Sequence, residues 1–256
     1  MELAPWQWTA AAIAAALIGV TKTGIPGAGI LVVSMLAIVF GGWESIGIML
    51  PMLIFADIFA VAWYRRHAHW DKLIRLLPWV VVGMAVGAFA LWYTGKINSH
   101  KDVLGIVIGV ITLVMLGLHL ARKWLGERLT PHSRIGVALT GTSAGFATTV
   151  SNAAGSIMTI YMAAHKVTNE QFVGTLAWYF FIVNCSKVPV YLAQNALNPA
   201  KPIMTLESLM YTVILSPAIV IGVFIGKWIL PRISQKAFEG TVLILAAAAS
   251  VKLIFG

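Results

Sequence analysis

The chain has 256 residues, of which 59% are hydrophobic and only 11% are charged, and its formal net charge is +9. A soluble domain carries about twice this charged fraction, so the composition and the mean hydropathy of +0.87 exclude an ordinary globular protein. Apolar runs of about 18 residues or more are typical of membrane spans. In such a protein a basic excess belongs to cytoplasmic loops rather than to a nucleic-acid interface. We interpret the chain as an all-α polytopic membrane protein that sits in a lipid bilayer and has no nucleic-acid partner.

The first half of the chain contains five apolar segments. No basic stretch precedes the first of them, so a cleaved signal peptide is not expected. We expect residues 1–121 to form a first transmembrane repeat. Its segments lie at 6–20, 29–41, 45–64, 73–93 and 103–121.

A second set of five apolar segments follows the longest polar stretch of the chain. That stretch, 122–134, is interpreted as a cytoplasmic linker, and residues 135–256 as a second transmembrane repeat. The segments of the second set lie at 135–150, 155–165, 170–193, 206–230 and 237–255.

The first two segments of each half are separated by a break rich in Gly, Thr and Ser. The breaks span 19–29 and 145–155, and a shift of 126 positions superimposes Gly29 on Gly155. Interrupted hydrophobic segments at corresponding places in two halves indicate the binding site of a transporter. We therefore expect both breaks to face one site.

Other parts of the halves also correspond. A shift of 127 positions pairs Asp57 with Asn184, and a shift of 139 pairs Gly83 with Gly222. Identities are common among apolar segments, so the shared breaks and the order of segments carry more weight than these single matches.

The distribution of Lys and Arg predicts how the halves are oriented. The loop 65–75 and the linker 122–134 hold four basic residues each, whereas the connection 194–206 holds one. Placing the basic loops in the cytoplasm directs segment 45–64 inward and segment 170–193 outward. Equivalent segments then run in opposite directions, which predicts two inverted repeats.

The broken segments are short for full spans. Residues 29–41 make about 20 Å of helix at ~1.5 Å per residue, against a hydrocarbon core of about 30 Å. Each repeat is therefore expected to contain one broken or re-entrant helix pair and three full transmembrane helices. Irregular backbone at membrane depth is tolerated only inside protein or beside a cavity.

Three charged residues stand inside the apolar segments: Lys22, Asp57 and Lys187. Ionisable residues in a membrane are costly and are functional by default. One carboxylate against two ammonium groups leaves one positive charge, which suits a bound anion. Asp57 is interpreted either as a counter-ion of Lys22 or Lys187, or as a proton-coupling group. A purely structural ion pair is the alternative.

The breaks carry the groups expected to bind an anion. Hydroxyl groups and glycine backbone N–H groups beside a restarting helix make an anion site, and glycine lets the backbone approach a ligand closely. Some of these hydroxyls are instead expected only to satisfy free backbone groups at a helix break. The candidate substrate-binding residues are Thr21, Lys22, Thr23, Gly24, Gly27 and Gly29 in the first break and Thr148, Thr149, Ser151 and Asn152 in the second.

Asn184 and Lys187 complete the candidate site. They stand three residues apart in segment 170–193 and hence on one helix face. The second break has neutral donors but no charge of its own, so Lys187 is expected to supply the charge of that half.

The sequence lacks the residue patterns that metal binding, a disulfide or enzymatic catalysis would require. The six His residues fall in loops or near segment ends and do not pair with carboxylates at metal-ligand spacing, so no metal and no cofactor is expected. Cys185 is the one cysteine, which excludes an intramolecular disulfide. No nucleophile and base cluster at one depth, which makes an enzyme the weakest alternative.

The motifs of this chain, and the order in which they follow one another, resemble the sulfite exporter TauE/SafE family of membrane permeases over nearly the whole chain. One departure is visible, because the second break lacks the glycine-rich character often seen there. The motifs that carry the resemblance are Lys-Thr-Gly-Ile-Pro-Gly-Ala-Gly at 22–29, the span with Asp57, the basic run at 65–73, Gly83 and Gly87, Ala-Gly-Phe at 144–146, Gly155, Asn184, and Lys-Val-Pro-Val-Tyr at 187–191.

The resemblance implies a secondary transporter of sulfur-containing anions such as sulfite, sulfoacetate or isethionate. It implies a multi-pass protein of the cell membrane, bacterial in type, and leaves proton coupling and a homo-oligomeric state open. A permease for another anion, such as a carboxylate, and a passive anion channel remain as alternatives, because both would share a positively charged lining.

Overall fold

The computed structural model describes residues 3–23, 29–97, 101–125, 131, 133–163, 167–228 and 235–256, without the side chains of 23, 122–125, 163, 169 and 235–239. These residues form α-helices and one 3₁₀ turn at Arg65–His67, and no strand is present among them. The helices of the first half are α1 (Pro5–Thr23), α2 (Gly29–Phe40), α3 (Gly42–Tyr64), α4 (Trp70–Gly95) and α5 (Val103–Leu125). Those of the second half are α6 (Arg134–Ser151), α7 (Gly155–Ala163), α8 (Asn169–Leu197), α9 (Leu206–Trp228) and α10 (Gln235–Phe255).

Five helices of the described part are long and apolar enough to cross a bilayer. Three belong to the first half and two, α8 and α9, to the second. α10, the sixth full span expected from the sequence, is represented by the shorter apolar segment Gly240–Phe255. The chain is thus a multi-pass, all-helical membrane protein, as the composition predicts.

Helix contacts recur between the two halves. If each helix is matched with the fifth helix after it, α1 corresponds to α6 and α4 to α9. α1 packs along α9, and α6 packs along α4 in the reciprocal way. α2 contacts α10 and α7 contacts α5, while α3 and α8, which correspond to each other, pack together.

Glycines allow the closest of these contacts. Gly83 and Gly145 face each other across α4 and α6, and Gly19 and Gly222 do so across α1 and α9. A Cβ atom at any of the four would overlap backbone atoms of the facing helix. Small residues at such crossings let helix backbones approach closely in a membrane, where packing rather than the hydrophobic effect drives association.

One helix ends and the next begins within each break. α6 ends at Ser151 and is followed by Asn152, a C-cap in the left-handed conformation with φ 58°, and α7 begins at Gly155. In the first half α1 ends at Thr23 and α2 begins at Gly29, so Lys22 lies in the last helical turn of α1 rather than in irregular backbone.

Candidate functional site

A cavity lies between the two helix breaks. Its volume is about 80 Å³, several times the ~10–15 Å³ that one water molecule needs, so it has room for a small ion. Thr21, Lys22 and Gly29 line it from the first break, and α3 contributes Met49 and Leu53.

The second break and α8 form the opposite wall of the cavity. The residues of the break are Thr148, Asn152, Ala153 and Gly155, Ser156 follows in α7, and those of α8 are Val173, Leu176, Ala177, Phe180 and Asn184. The two breaks, 126 positions apart in sequence, therefore share one cavity.

Two helix N-termini open onto this cavity. α2 begins at Gly29 and α7 at Gly155, and both glycines line the cavity. The first N–H groups of a helix have no intrahelical partner, and the helix dipole makes this end positive. A Cβ atom added at Gly29 or Gly155 would meet no atom of the described residues within 4 Å, so free space adjoins the backbone at both N-termini within the described part of the chain.

Lys22, Asp57 and Asn184 form a buried polar chain beside the cavity. Lys22 Nζ lies 2.7 Å from Asp57 Oδ1, and Asn184 Nδ2 donates to Asp57 Oδ2 at 2.6 Å. The Asp57 side chain is fully buried, whereas that of Lys22 keeps 9% of its surface exposed. Lys22 Nζ also lies 4.3 Å from the centre of the Phe180 ring. The ammonium group therefore borders the cavity and pairs with the carboxylate behind it.

Asp57 and Asn184 meet although they are 127 residues apart. They are the residues that the sequence pairs by a shift of 127 positions, one in α3 and one in α8. The pair of residues that the sequence matches between the halves is therefore also a pair in direct contact.

Lys187 has a different position. It is fully buried, and its Nζ donates to Thr148 O and Thr148 Oγ1, at 3.2 Å each, and to Asn152 Oδ1. Asn152 Nδ2 in turn donates to Ile46 O at 3.3 Å. Lys187 thus fixes the C-terminal end of α6 and is not among the residues that line the cavity.

Several hydroxyl groups of the breaks bond to their own helices. Thr21 Oγ1 donates to Ile18 O, Thr149 Oγ1 to Gly145 O and Ser151 Oγ to Ala147 O, each at 2.8 Å. Thr149 and Ser151 do not line the cavity. Their hydroxyls therefore satisfy backbone carbonyls, one of the two roles that the sequence leaves open for such residues.

The predicted site residues thus fall into three groups. Those that line the cavity are Thr21, Lys22, Gly29, Thr148, Asn152 and Asn184. Asp57 and Lys187 lie behind that layer and bond to members of it, while Thr149 and Ser151 lie away from the cavity. Gly24 and Gly27 are outside the described residues, as is the side chain of Thr23.

Sequence reasoning missed Ser156 and Phe180. Ser156 follows the glycine at which α7 begins, so its place in the first turn of a restarting helix was the available signal. Phe180 carries no such signal, because an aromatic residue in an apolar segment is indistinguishable from packing. Among the described residues no group of three or more His, Cys, Asp or Glu side chains could hold a metal ion.

A second cavity lies at the other end of α8. Its volume is about 390 Å³, and it is lined by Trp43, Lys201 and Glu207 among others. Ile48 of α3 lines this second cavity, and its neighbour Met49 lines the first.

The fold and this buried, charged cavity define a polytopic helical membrane protein with an internal polar site between broken helices. The chain belongs to the sulfite exporter TauE/SafE family, whose pattern matches residues 11–253. No curated protein and no solved structure gives a significant match. The match covers both breaks and all three buried charged residues.

Proposed function

We propose that the protein is a secondary transporter of small sulfur-containing anions, which it binds in the cavity between the two helix breaks. One observation carries the proposal: the N-termini of α2 and α7 open onto one cavity beside Lys22. Discontinuous helices of transporters direct their N-termini at the anionic group of the substrate in the same way. Sulfite and organosulfonates such as sulfoacetate and isethionate are the substrates that the family membership supports.

The charge of the cluster favours an anion. Lys22, Asp57 and Lys187 together carry one net positive charge when all three are ionised. A buried charge is costly unless it is compensated, so a monoanion in the cavity would neutralise the cluster. We assign binding of the anion to Lys22, to the backbone at Gly29 and Gly155, and to the side chains of Thr148 and Asn152.

The mechanism we propose is alternating access of two inverted repeats, 1–121 and 135–256, joined by the linker 122–134. Three observations support it: the reciprocal helix contacts, the meeting of Asp57 with Asn184, and a second cavity beyond α3. Rocking one repeat against the other would open the site to each side in turn. The setting we propose is a cell membrane of bacterial type.

The test is uptake of labelled sulfite into proteoliposomes that contain unlabelled sulfite. A carrier exchanges substrate, so we expect label to accumulate transiently against its gradient. Monotonic equilibration of the label would indicate a passive anion channel. Competition by sulfonates but not by carboxylates would support the substrate class, and the reverse pattern would assign the site to carboxylates.

The same assay tests whether Asp57 couples transport to protons. Protonation of Asp57 would release Lys22 to the substrate, so a pH gradient is expected to change the uptake rate of the wild-type protein. Asp57→Asn is neutral at every pH and should abolish that response. If the variant transports as well as wild type and responds equally to the gradient, Asp57 has no coupling role and serves as a counter-ion alone.

A further inference from the structure

Two buried polar atoms in the wall of the cavity have no hydrogen-bond partner among the described residues. They are Ser156 Oγ and Asn184 Oδ1, and the two residues are 2% and 1% exposed. Both residues line the cavity. Buried polar groups are nearly always satisfied, so each exception needs an explanation.

While Asp57 is ionised, the amide of Asn184 can be oriented in only one way. Nδ2 donates to Asp57 Oδ2 at 2.6 Å, and the reversed amide would set its oxygen against a carboxylate oxygen, where neither atom has a proton. Oδ1 is therefore the end directed away from Asp57. Asn184 lines the cavity and Asp57 does not, which favours an Oδ1 directed at the cavity.

Several other groups of the wall can donate. The Ser156 hydroxyl, the free N–H groups at the start of α7 and the Lys22 ammonium can all donate to an anion. An anion without hydrogen-bond donors would satisfy these groups and leave Asn184 Oδ1 unpaired. A ligand that satisfies the whole wall must accept several hydrogen bonds and donate one.

We propose that the site selects a monoanion that carries one hydroxyl hydrogen, such as a hydroxyalkanesulfonate or hydrogensulfite. Its anionic oxygens accept from Ser156, the α7 N-terminus and Lys22, and its hydroxyl donates to Asn184 Oδ1. This inference rests on the proposed function and adds a selection rule to it. A site built around a substrate hydroxyl discriminates against an analogue without one, because its own polar group is left unpaired.

Isethionate and ethanesulfonate form a matched pair for the test, since they differ only in the hydroxyl group. Their dissociation constants, and that of sulfite, can be measured by calorimetry on the purified full-length protein. We expect isethionate to bind at least about tenfold more tightly than ethanesulfonate, equivalent to about 1.4 kcal/mol. This comparison uses the wild-type protein and depends on no variant.

Two variants locate the preference. Asn184→Leu has nearly the same size but no acceptor, so the preference for isethionate should fall towards one. Ser156→Ala should weaken both sulfonates by a similar factor and keep their ratio. The assignment to Asn184 would be overturned if Ser156→Ala lost the preference for isethionate over ethanesulfonate. It would also be overturned if a folded Asn184→Leu protein kept that preference.

The outcomes separate this inference from the proposed function. If sulfite binds and the two sulfonates bind equally or not at all, the inference fails and the anion site stands. If none of the three anions binds, the proposed function fails and takes the inference with it.

Discussion

At the scale of single residues, the two buried lysines serve different helix ends. Lys22 lies in the last turn of α1, and Lys187 reaches from α8 to the last turn of α6. Both place a positive charge at the C-terminus of a helix that ends at a break, where the helix dipole is negative. Only Lys22 borders the cavity, so the two halves of the site use their cations differently.

Lys187→Met is expected to destabilise the protein. The variant leaves Asn152 Oδ1 without its buried donor, and such a group costs about 1–3 kcal/mol. Thr148 O loses the contact with Lys187 but keeps the hydrogen bond from the Asn152 backbone N–H. We expect the free energy of unfolding to fall by about 2–3 kcal/mol, which lowers the melting temperature in detergent by about 5–10 °C.

Lys252→Met is the matched control, because Lys252 is exposed near the end of α10. Its effect should stay within about 0.5 kcal/mol. Equal melting temperatures for the two variants would show that Lys187 does not hold the α6 terminus.

At the scale of elements, the close crossings of α4 with α6 and of α1 with α9 position the helices that lead into the site. Each crossing brings two backbones together at glycines. Each also includes the helix that precedes a break, α1 or α6. The position of the cavity therefore depends on these contacts as much as on the breaks themselves.

Gly83→Ala and Gly222→Ala should both destabilise the protein. The added Cβ would overlap a backbone carbonyl, of Thr142 or of Ala16 respectively, and overpacking of this kind costs about 1–3 kcal/mol. Thermal unfolding in detergent measures the loss, and the two variants should lose similar amounts.

Gly117→Ala is the control, because it makes the same substitution at a glycine outside these crossings. Among the described residues, no atom lies within 4 Å of a Cβ added at Gly117. Alanine is also preferred to glycine inside a helix by roughly 0.5–1 kcal/mol. The variant should be neutral or slightly stabilised. Destabilisation equal to that of Gly83→Ala would refute the steric account.

The sequence predicts the elements well because their signals are local. All ten apolar segments correspond to helices, and the second break ends at Gly155 as expected. The side-chain roles are less predictable. Whether Thr149 donates to a ligand or to Gly145 O depends on rotamers, and the reach of Lys187 to α6 depends on packing between distant helices.

At the scale of the whole molecule, corresponding helices make reciprocal contacts around α3 and α8. Consecutive residues of α3 line the two cavities, Met49 the first and Ile48 the second. This arrangement suits a site that is opened from two sides by the movement of two similar halves.

Inverted repeats predict that equivalent loops lie on opposite faces of the membrane. Arg66 and Ala200 are exposed and lie in the loops that follow α3 and α8. With Cys185 replaced by alanine, a cysteine at Arg66 should react with an impermeant thiol reagent only from the cytoplasm, and one at Ala200 only from outside. Labelling of both from the same side would exclude inversion.

The most direct test of the anion site is anomalous diffraction from crystals soaked with selenite, a close analogue of sulfite whose selenium atom can be located without ambiguity. We predict a selenium peak in the cavity between Gly29 and Gly155, within hydrogen-bond reach of Lys22 Nζ and the α7 N-terminus. A peak only in the second cavity, or no peak at a concentration that saturates transport, would contradict the account.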